Sequence, residues 1–105
     1  MYTTILKTGT NQSVKEFIEA LTESEIREMS GTATFNSGKN YAQTSMQDVE
    51  FIYENKLIGS VEASDSYEVI IEKDEDKIVA ECDCNFAGEL CDHTAAVLVY
   101  AITHK

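Results

Sequence analysis

Apolar residues recur at helical spacing in the first third of the chain. Val14, Phe17, Ile18 and Leu21 fall at i, i+3, i+4 and i+7, as on one face of an α-helix. Ile26 and Met29 continue this apolar face. Ser13 and Glu16 match a capping box, and Thr22-Glu23-Ser24 is a candidate interruption. We therefore predict an N-terminal helix that ends at Gly31. We expect the apolar stripe of this helix to pack on the domain's own sheet rather than to bind a partner. Residues 1–12 fit a short strand or an ordered arm.

Short alternating segments follow this helix, joined by polar links of hairpin length. Ser30-Gly31 and Asn36-Ser37-Gly38 are turn signals that open the region. The predicted strands are Tyr41 to Thr44, Val49 to Tyr53, Leu57 to Ala63, Tyr67 to Glu72 and Lys77 to Cys84. We expect an antiparallel meander. Its core face carries Val49, Phe51 and Tyr53, then Leu57, Val61 and Ala63, then Tyr67, Val69 and Ile71.

Near the carboxyl end, the run Ala95 to Ile102 holds eight consecutive apolar residues. A helix that is apolar all round is normally buried on more than one side. One face should pack on the sheet, and the N-terminal helix or another protein should cover the rest.

The candidate chemistry is concentrated just before this run. Cys82, Cys84, Cys91 and His93 follow the spacing C-x-C, six residues, C-x-H. Three thiolates and one imidazole are the ligands that a closed tetrahedral zinc site uses. We predict that these four residues bind one Zn²⁺. His104 lies about 16 Å further along a helix, too far to share the ion.

Local structure explains how this spacing can converge on one metal. A strand into the motif would place Ile78, Ala80, Cys82 and Cys84 on one face. The loop Asn85 to Leu90, which we call the zinc knuckle, contains Gly88 for a turn with positive φ. A helix that begins near Asp92, a good N-cap residue, would present Cys91 and His93 in its first turn.

The cysteine count argues against an extracellular disulfide framework. A bond within C-x-C is strained, three cysteines cannot all pair, and the opening residues contain no secretory signal. We therefore expect a cytoplasmic protein whose thiols stay reduced. A redox dithiol at Cys82 and Cys84 remains the main alternative to zinc.

The motif resembles the SWIM-type zinc finger, whose pattern is C-x-C-x(n)-C-x-H in a strand-strand-helix unit. The likeness includes the small-residue helix Thr94 to Leu98 and the lead-in strand Ser66 to Ile71, and it covers residues 59–104. Such domains occur in helicase-like ATPases, in transposases and in small partners of RecA-type recombinase paralogues. The resemblance implies zinc binding and interaction with DNA or protein, without catalysis by the finger.

The charge balance weakens the nucleic-acid interpretation. Nineteen acidic residues against eight basic ones give a net charge of −11, whereas DNA affinity comes largely from Lys and Arg. Many relatives carry Lys between the last Cys and the His, but this chain carries Asp92, and Asp83 and Glu89 stand nearby. A zinc hydrolase is weaker still, because four protein ligands leave no position for water.

These observations predict a single α+β domain, residues 1–105, with an N-terminal helix, an antiparallel meander and a C-terminal strand-strand-helix zinc finger. We expect a non-enzymatic interaction module with structural zinc. Its expected partner is a larger protein, such as one that handles DNA, which would dock on the terminal helix 94–102 or on the zinc knuckle. Nucleic acid is the alternative partner, and no membrane segment is expected.

Overall fold

A computed structural model describes residues 2–62, 65–84 and 90–104. Within these ranges the chain forms five strands and four helices. In chain order they are β1 Tyr2–Lys7, α1 Val14–Ala20, α2 Glu23–Ser30, α3 Thr32–Thr44, β2 Met46–Tyr53, β3 Lys56–Glu62, β4 Ser66–Asp74, β5 Lys77–Cys82 and α4 Asp92–Thr103. The predicted mixture of helix and antiparallel sheet is confirmed.

The strands form one antiparallel sheet in the order β1-β5-β4-β3-β2. Strands β2 to β5 are the predicted meander, since each pairs with the next in sequence. β1 lies beside β5 at the far edge, with Ile5 opposite Val79. The prediction that a helix begins the fold is therefore wrong, because a strand precedes the helices.

Two capping boxes divide the predicted N-terminal helix into two shorter helices. Ser13 and Glu16 make the predicted capping box: the Glu16 N–H donates to Ser13 Oγ at 3.1 Å and the Ser13 N–H donates to the Glu16 carboxylate at 3.0 Å. Thr22 and Glu25 form a second box at the candidate interruption. Two reciprocal boxes satisfy the free N–H groups of two helix starts, so the stretch folds as α1 and α2.

Helix α3 corrects the prediction for residues 32–44. Turns around residues 36–38 and a strand from Tyr41 to Thr44 were expected, but the whole segment is helical. Gly38, expected in a turn, is buried where α3 crosses α4, and a Cβ built on it would lie 2.6 Å from Ala95 Cβ. The glycine therefore serves close helix packing, which outweighs its low helix propensity.

Helix α4 lies at the centre of the core, between α3 and the sheet. Its side chains from Thr94 to Val99 are all buried, as expected of a helix without a polar face. On the sheet, the predicted core positions Leu57, Val61, Val69 and Ile71 are buried. Ala63 lies outside the described residues.

Strand β2 departs from the predicted core face. Phe51 is 37% exposed and Tyr53 is 57% exposed, so neither belongs to the core. β2 is an edge strand, and its pairing with β3 shifts register between Phe51 and Tyr53. A register shift interrupts the alternation of side chains, which explains why the simple period-two pattern fails here.

Candidate metal centre

The ends of two secondary-structure elements bring the four predicted ligands together. Cys82 is the last residue of β5, Cys84 follows two residues later, Cys91 is the N-cap of α4 and His93 lies in its first turn. Their ligand atoms all lie within 4.8 Å of one another. The predicted strand ends at Cys82 rather than Cys84, yet the Cys84 side chain is still buried.

The donor set and its spacing fit a tetrahedral metal ion. Donors held at about 2.3 Å for sulfur and about 2.0 Å for nitrogen stand about 3.5 to 3.8 Å apart around one Zn²⁺. Cys82 Sγ lies 3.7 Å from His93 Nδ1, within this range. The three cysteines are buried and the histidine is half-buried. The cluster can therefore hold one metal ion.

Cys91 is both a candidate ligand and the N-cap of helix α4. Its sulfur accepts the Thr94 backbone N–H at 3.4 Å and lies 3.2 Å from Thr94 Oγ1, with both residues fully buried. The N-cap is therefore Cys91, and the expected cap Asp92 is the first helical residue. A thiolate at this position gains from the free N–H groups and the positive end of the helix dipole.

A hydrogen bond between the thiols of Cys82 and Cys91 shifts their pKa values in opposite directions. The hydrogen bond from Cys82 lowers the pKa of Cys91, with further contributions from His93 and Thr94. The same bond, together with burial, raises the pKa of Cys82. Cys91 is thus the first of the pair to become a thiolate, which is the form that binds a metal.

Two tyrosines that sequence analysis did not assign to the site hold the imidazole of His93. The Tyr67 ring, from β4, stacks on it with centroids 4.0 Å apart and an interplanar angle of 21°. The Tyr41 ring, from α3, lies 5.9 Å away at 21°. These contacts restrict the plane of the imidazole. Sequence analysis could not place Tyr41 at the site, because its segment was predicted to be a strand and is in fact part of helix α3.

The bend after β5 is tied to the neighbouring strand. The carboxylate of Asp83 accepts the backbone N–H of Glu68 at 3.0 Å. Asp83 therefore supports the polypeptide between the first two cysteines rather than adding only negative charge. Gly88 and Glu89 of the zinc knuckle lie outside the described residues.

His104 is separate from the cluster, as the sequence predicts. It is exposed at the C-cap of α4, and its ring stacks on Tyr100 with centroids 4.1 Å apart.

The fold and the cluster define a mixed helix-and-sheet protein with a candidate Cys₃His metal centre. No family model, curated protein or solved structure matches the chain, so the SWIM resemblance rests on the motif residues alone. No helix in the described part of the chain is long and apolar enough to cross a membrane.

Proposed function

We propose that the protein is a non-enzymatic interaction module whose fold is stabilised by one structural Zn²⁺ bound to Cys82, Cys84, Cys91 and His93. The observation that carries this proposal is the convergence of these four ligand atoms within 4.8 Å. The motif spacing and its place between a strand and a helix are similar to the strand-strand-helix unit of SWIM-type fingers.

A metal at this position would link the two parts of the fold that meet there. β5 supplies Cys82 and α4 supplies His93, while α4 fills the centre of the core. Zinc binding to small finger peptides contributes on the order of 10 kcal/mol, and this energy becomes folding energy when the apo site is not preformed. Zinc would therefore fix how α4 docks on the sheet.

The ligand set favours a structural role over a catalytic one. Catalytic zinc keeps a coordination position open for water, whereas three cysteines and one histidine fill all four. A dithiol enzyme needs a reactive exposed thiol, but the three cysteines are buried. We therefore propose that the finger itself catalyses no reaction.

The proposed partner is a larger protein. The apolar side chains of α4 already pack inside the chain, so the zinc knuckle is the better candidate of the two predicted docking surfaces. The net charge of −11 disfavours nucleic acid. A reducing cytoplasmic setting would keep the thiols available to the metal.

Metal analysis with two histidine variants tests the structural role of zinc. We expect one zinc per purified chain, three thiols that react slowly until a chelator is added, and loss of folded structure after chelation. His93→Ala should bind zinc more weakly, whereas the matched variant His104→Ala should bind normally, because His104 is outside the cluster. A metal-free chain with an unchanged melting curve would overturn the proposal.

A DNA-binding measurement tests the choice of partner. Single- and double-stranded oligonucleotides should bind the zinc-loaded chain only weakly. Sub-micromolar affinity with a steep salt dependence would show that phosphates are neutralised by the protein, and the protein-partner proposal would then be wrong.

A further inference from the structure

In the part of the chain that the structure describes, the helices pack on one face of the sheet and leave the other face uncovered. Along β3 and β4, Leu57 and Ile71 are buried against the helical layer, while the alternate residues Ile58 and Ile70 are only half-buried. Antiparallel sheets commonly leave one such face to water. On this sheet, however, the open face carries isoleucine and valine side chains as well as charged ones.

A continuous apolar stripe crosses this face over four strands. Ile5 is opposite Val79, and Ile70 is opposite Ile58. Val79 and Ile70 are diagonal neighbours, because Ile70 pairs with Glu81 two residues further along β5. Direct and diagonal neighbours on one face are within side-chain reach. The stripe spans three interstrand spacings, about 14 Å, and Ile5 at its end is 52% exposed.

Carboxylates lie along both sides of this stripe. Glu72 is opposite Val79, Glu81 is opposite Ile70, and Glu50 is opposite Ile58. Lys56 lies 3.6 Å from Glu72, and Lys77, on the same face of β5, is opposite Asp74, so each lysine offsets one carboxylate. The face therefore combines an apolar centre with negative flanks, which is the complement of a helix that has an apolar stripe between basic residues.

We propose that this open sheet face, formed by the apolar stripe Ile5, Val79, Ile70 and Ile58 and its flanking carboxylates, binds a basic amphipathic helix of a partner protein. The inference rests on the proposed function as an interaction module. It adds a docking surface separate from the zinc knuckle and gives the chemistry of the partner that fits it.

A helix is the fitting occupant because helices already cover the opposite face, and a helix of about 10 residues spans 14 Å. A second copy of this chain is disfavoured, since two open sheet faces would bring their carboxylates together.

The test uses the zinc-loaded full chain and a synthetic helical peptide as the probe. The peptide has about 14 residues, with leucines along one face and Lys and Arg on both sides of them. A scrambled peptide of the same composition, which lacks the apolar stripe, is the control. We expect micromolar binding that weakens with salt, with NMR shift changes centred on Ile58, Ile70 and Val79.

Substitutions on the open sheet face separate the apolar and charged contributions. Ile70→Thr keeps a β-branched residue and should weaken binding about tenfold, the effect of losing one buried aliphatic group. Glu81→Lys should weaken binding and reduce its salt dependence. The matched control Glu28→Lys, at an exposed position on α2, should bind like the original chain. NMR spectra check that each variant is folded.

Four results would overturn the proposal: no binding by a folded, zinc-loaded chain, equal binding of the scrambled peptide, shift changes confined to the metal site, or self-association that Ile70→Thr abolishes. Zinc content measured on the same samples separates the two proposals. If the zinc-loaded chain does not bind the peptide, only the proposal for the open sheet face is refuted. If the chain folds without metal, the proposed structural role of zinc is refuted.

Discussion

Gly59 marks a close approach between the sheet and helix α4. A Cβ built on this buried glycine would lie 2.7 Å from Cγ2 and 3.1 Å from Cγ1 of Val97, and 3.4 Å from Cγ2 of Val49. Non-bonded carbon atoms prefer separations of about 3.5 to 4.0 Å. Val97 is fully buried, and its branched side chain has one strongly preferred helical rotamer. Gly59→Ala therefore forces the helix and the sheet apart.

The expected magnitude follows from opposing contributions. Replacing glycine by alanine inside a strand gains about 0.5 to 1 kcal/mol of backbone entropy, and an added buried methyl gains about 0.8 kcal/mol. Overpacking a rigid core costs about 1 to 3 kcal/mol. Since the clash involves a stiff, fully buried side chain, we take the upper part of this range and expect a net loss of about 1 kcal/mol.

A double-mutant cycle with Val97→Ala tests this reasoning. Val97→Ala alone should cost about 2 to 3 kcal/mol, because two buried methyl groups are lost. In the double variant, the methyl group added by Gly59→Ala fills part of the space left by Val97→Ala. The double variant should therefore be at least about 1 kcal/mol more stable than the sum of the single effects predicts.

Urea unfolding in the presence of zinc, followed by far-UV circular dichroism, measures each free energy of unfolding. Ser60→Ala, at the neighbouring half-buried position of β3, should change it by less than about 0.5 kcal/mol. A more stable Gly59→Ala chain with additive behaviour towards Val97→Ala would refute the close approach of α4.

Two other predictions concern the site and the caps. Tyr67→Leu should lower zinc affinity about tenfold, as is typical when a group that orients a metal ligand is lost, because its ring stacks on His93. Chelator competition measures this affinity, and Tyr100→Leu, which removes the ring beside His104, should leave it unchanged. The N-cap hydrogen bond lowers the pKa of Glu16 from 4.5, so its carboxylate stabilises the fold above pH 4.5 and this stabilisation is lost as the pH falls through the lower folded value. The difference in urea midpoint between the original chain and Glu16→Gln should accordingly shrink on acidification, and a constant difference would contradict the capping geometry.

The parts of the fold that sequence predicts well depend on local signals. The capping box at Ser13 and Glu16 and the hairpin-sized links between β2 and β5 lie within a few residues, so the pattern carries them. The candidate ligand cluster follows from spacing within twelve residues, and the structure brings its four side chains together.

The failures involve contacts between distant parts of the chain. Helix α3 contains Gly38, which sequence patterns assign to a turn, but it is needed where α3 meets Ala95 of α4. Edge strand β1 joins the sheet by pairing with β5, more than seventy residues away, and no local pattern specifies this partner. Tyr67 and Tyr41 reach His93 from two separate elements, so their role at the site emerges only from the tertiary structure.

Zinc K-edge X-ray absorption of the purified chain tests the central claim most directly. One zinc per chain, with three sulfur neighbours at about 2.3 Å and one nitrogen at about 2.0 Å, is the predicted result. His93→Ala should remove the nitrogen neighbour supplied by the imidazole, while His104→Ala should leave the spectrum unchanged. A folded chain without zinc, or a bound zinc with oxygen neighbours in place of sulfur, would contradict the account.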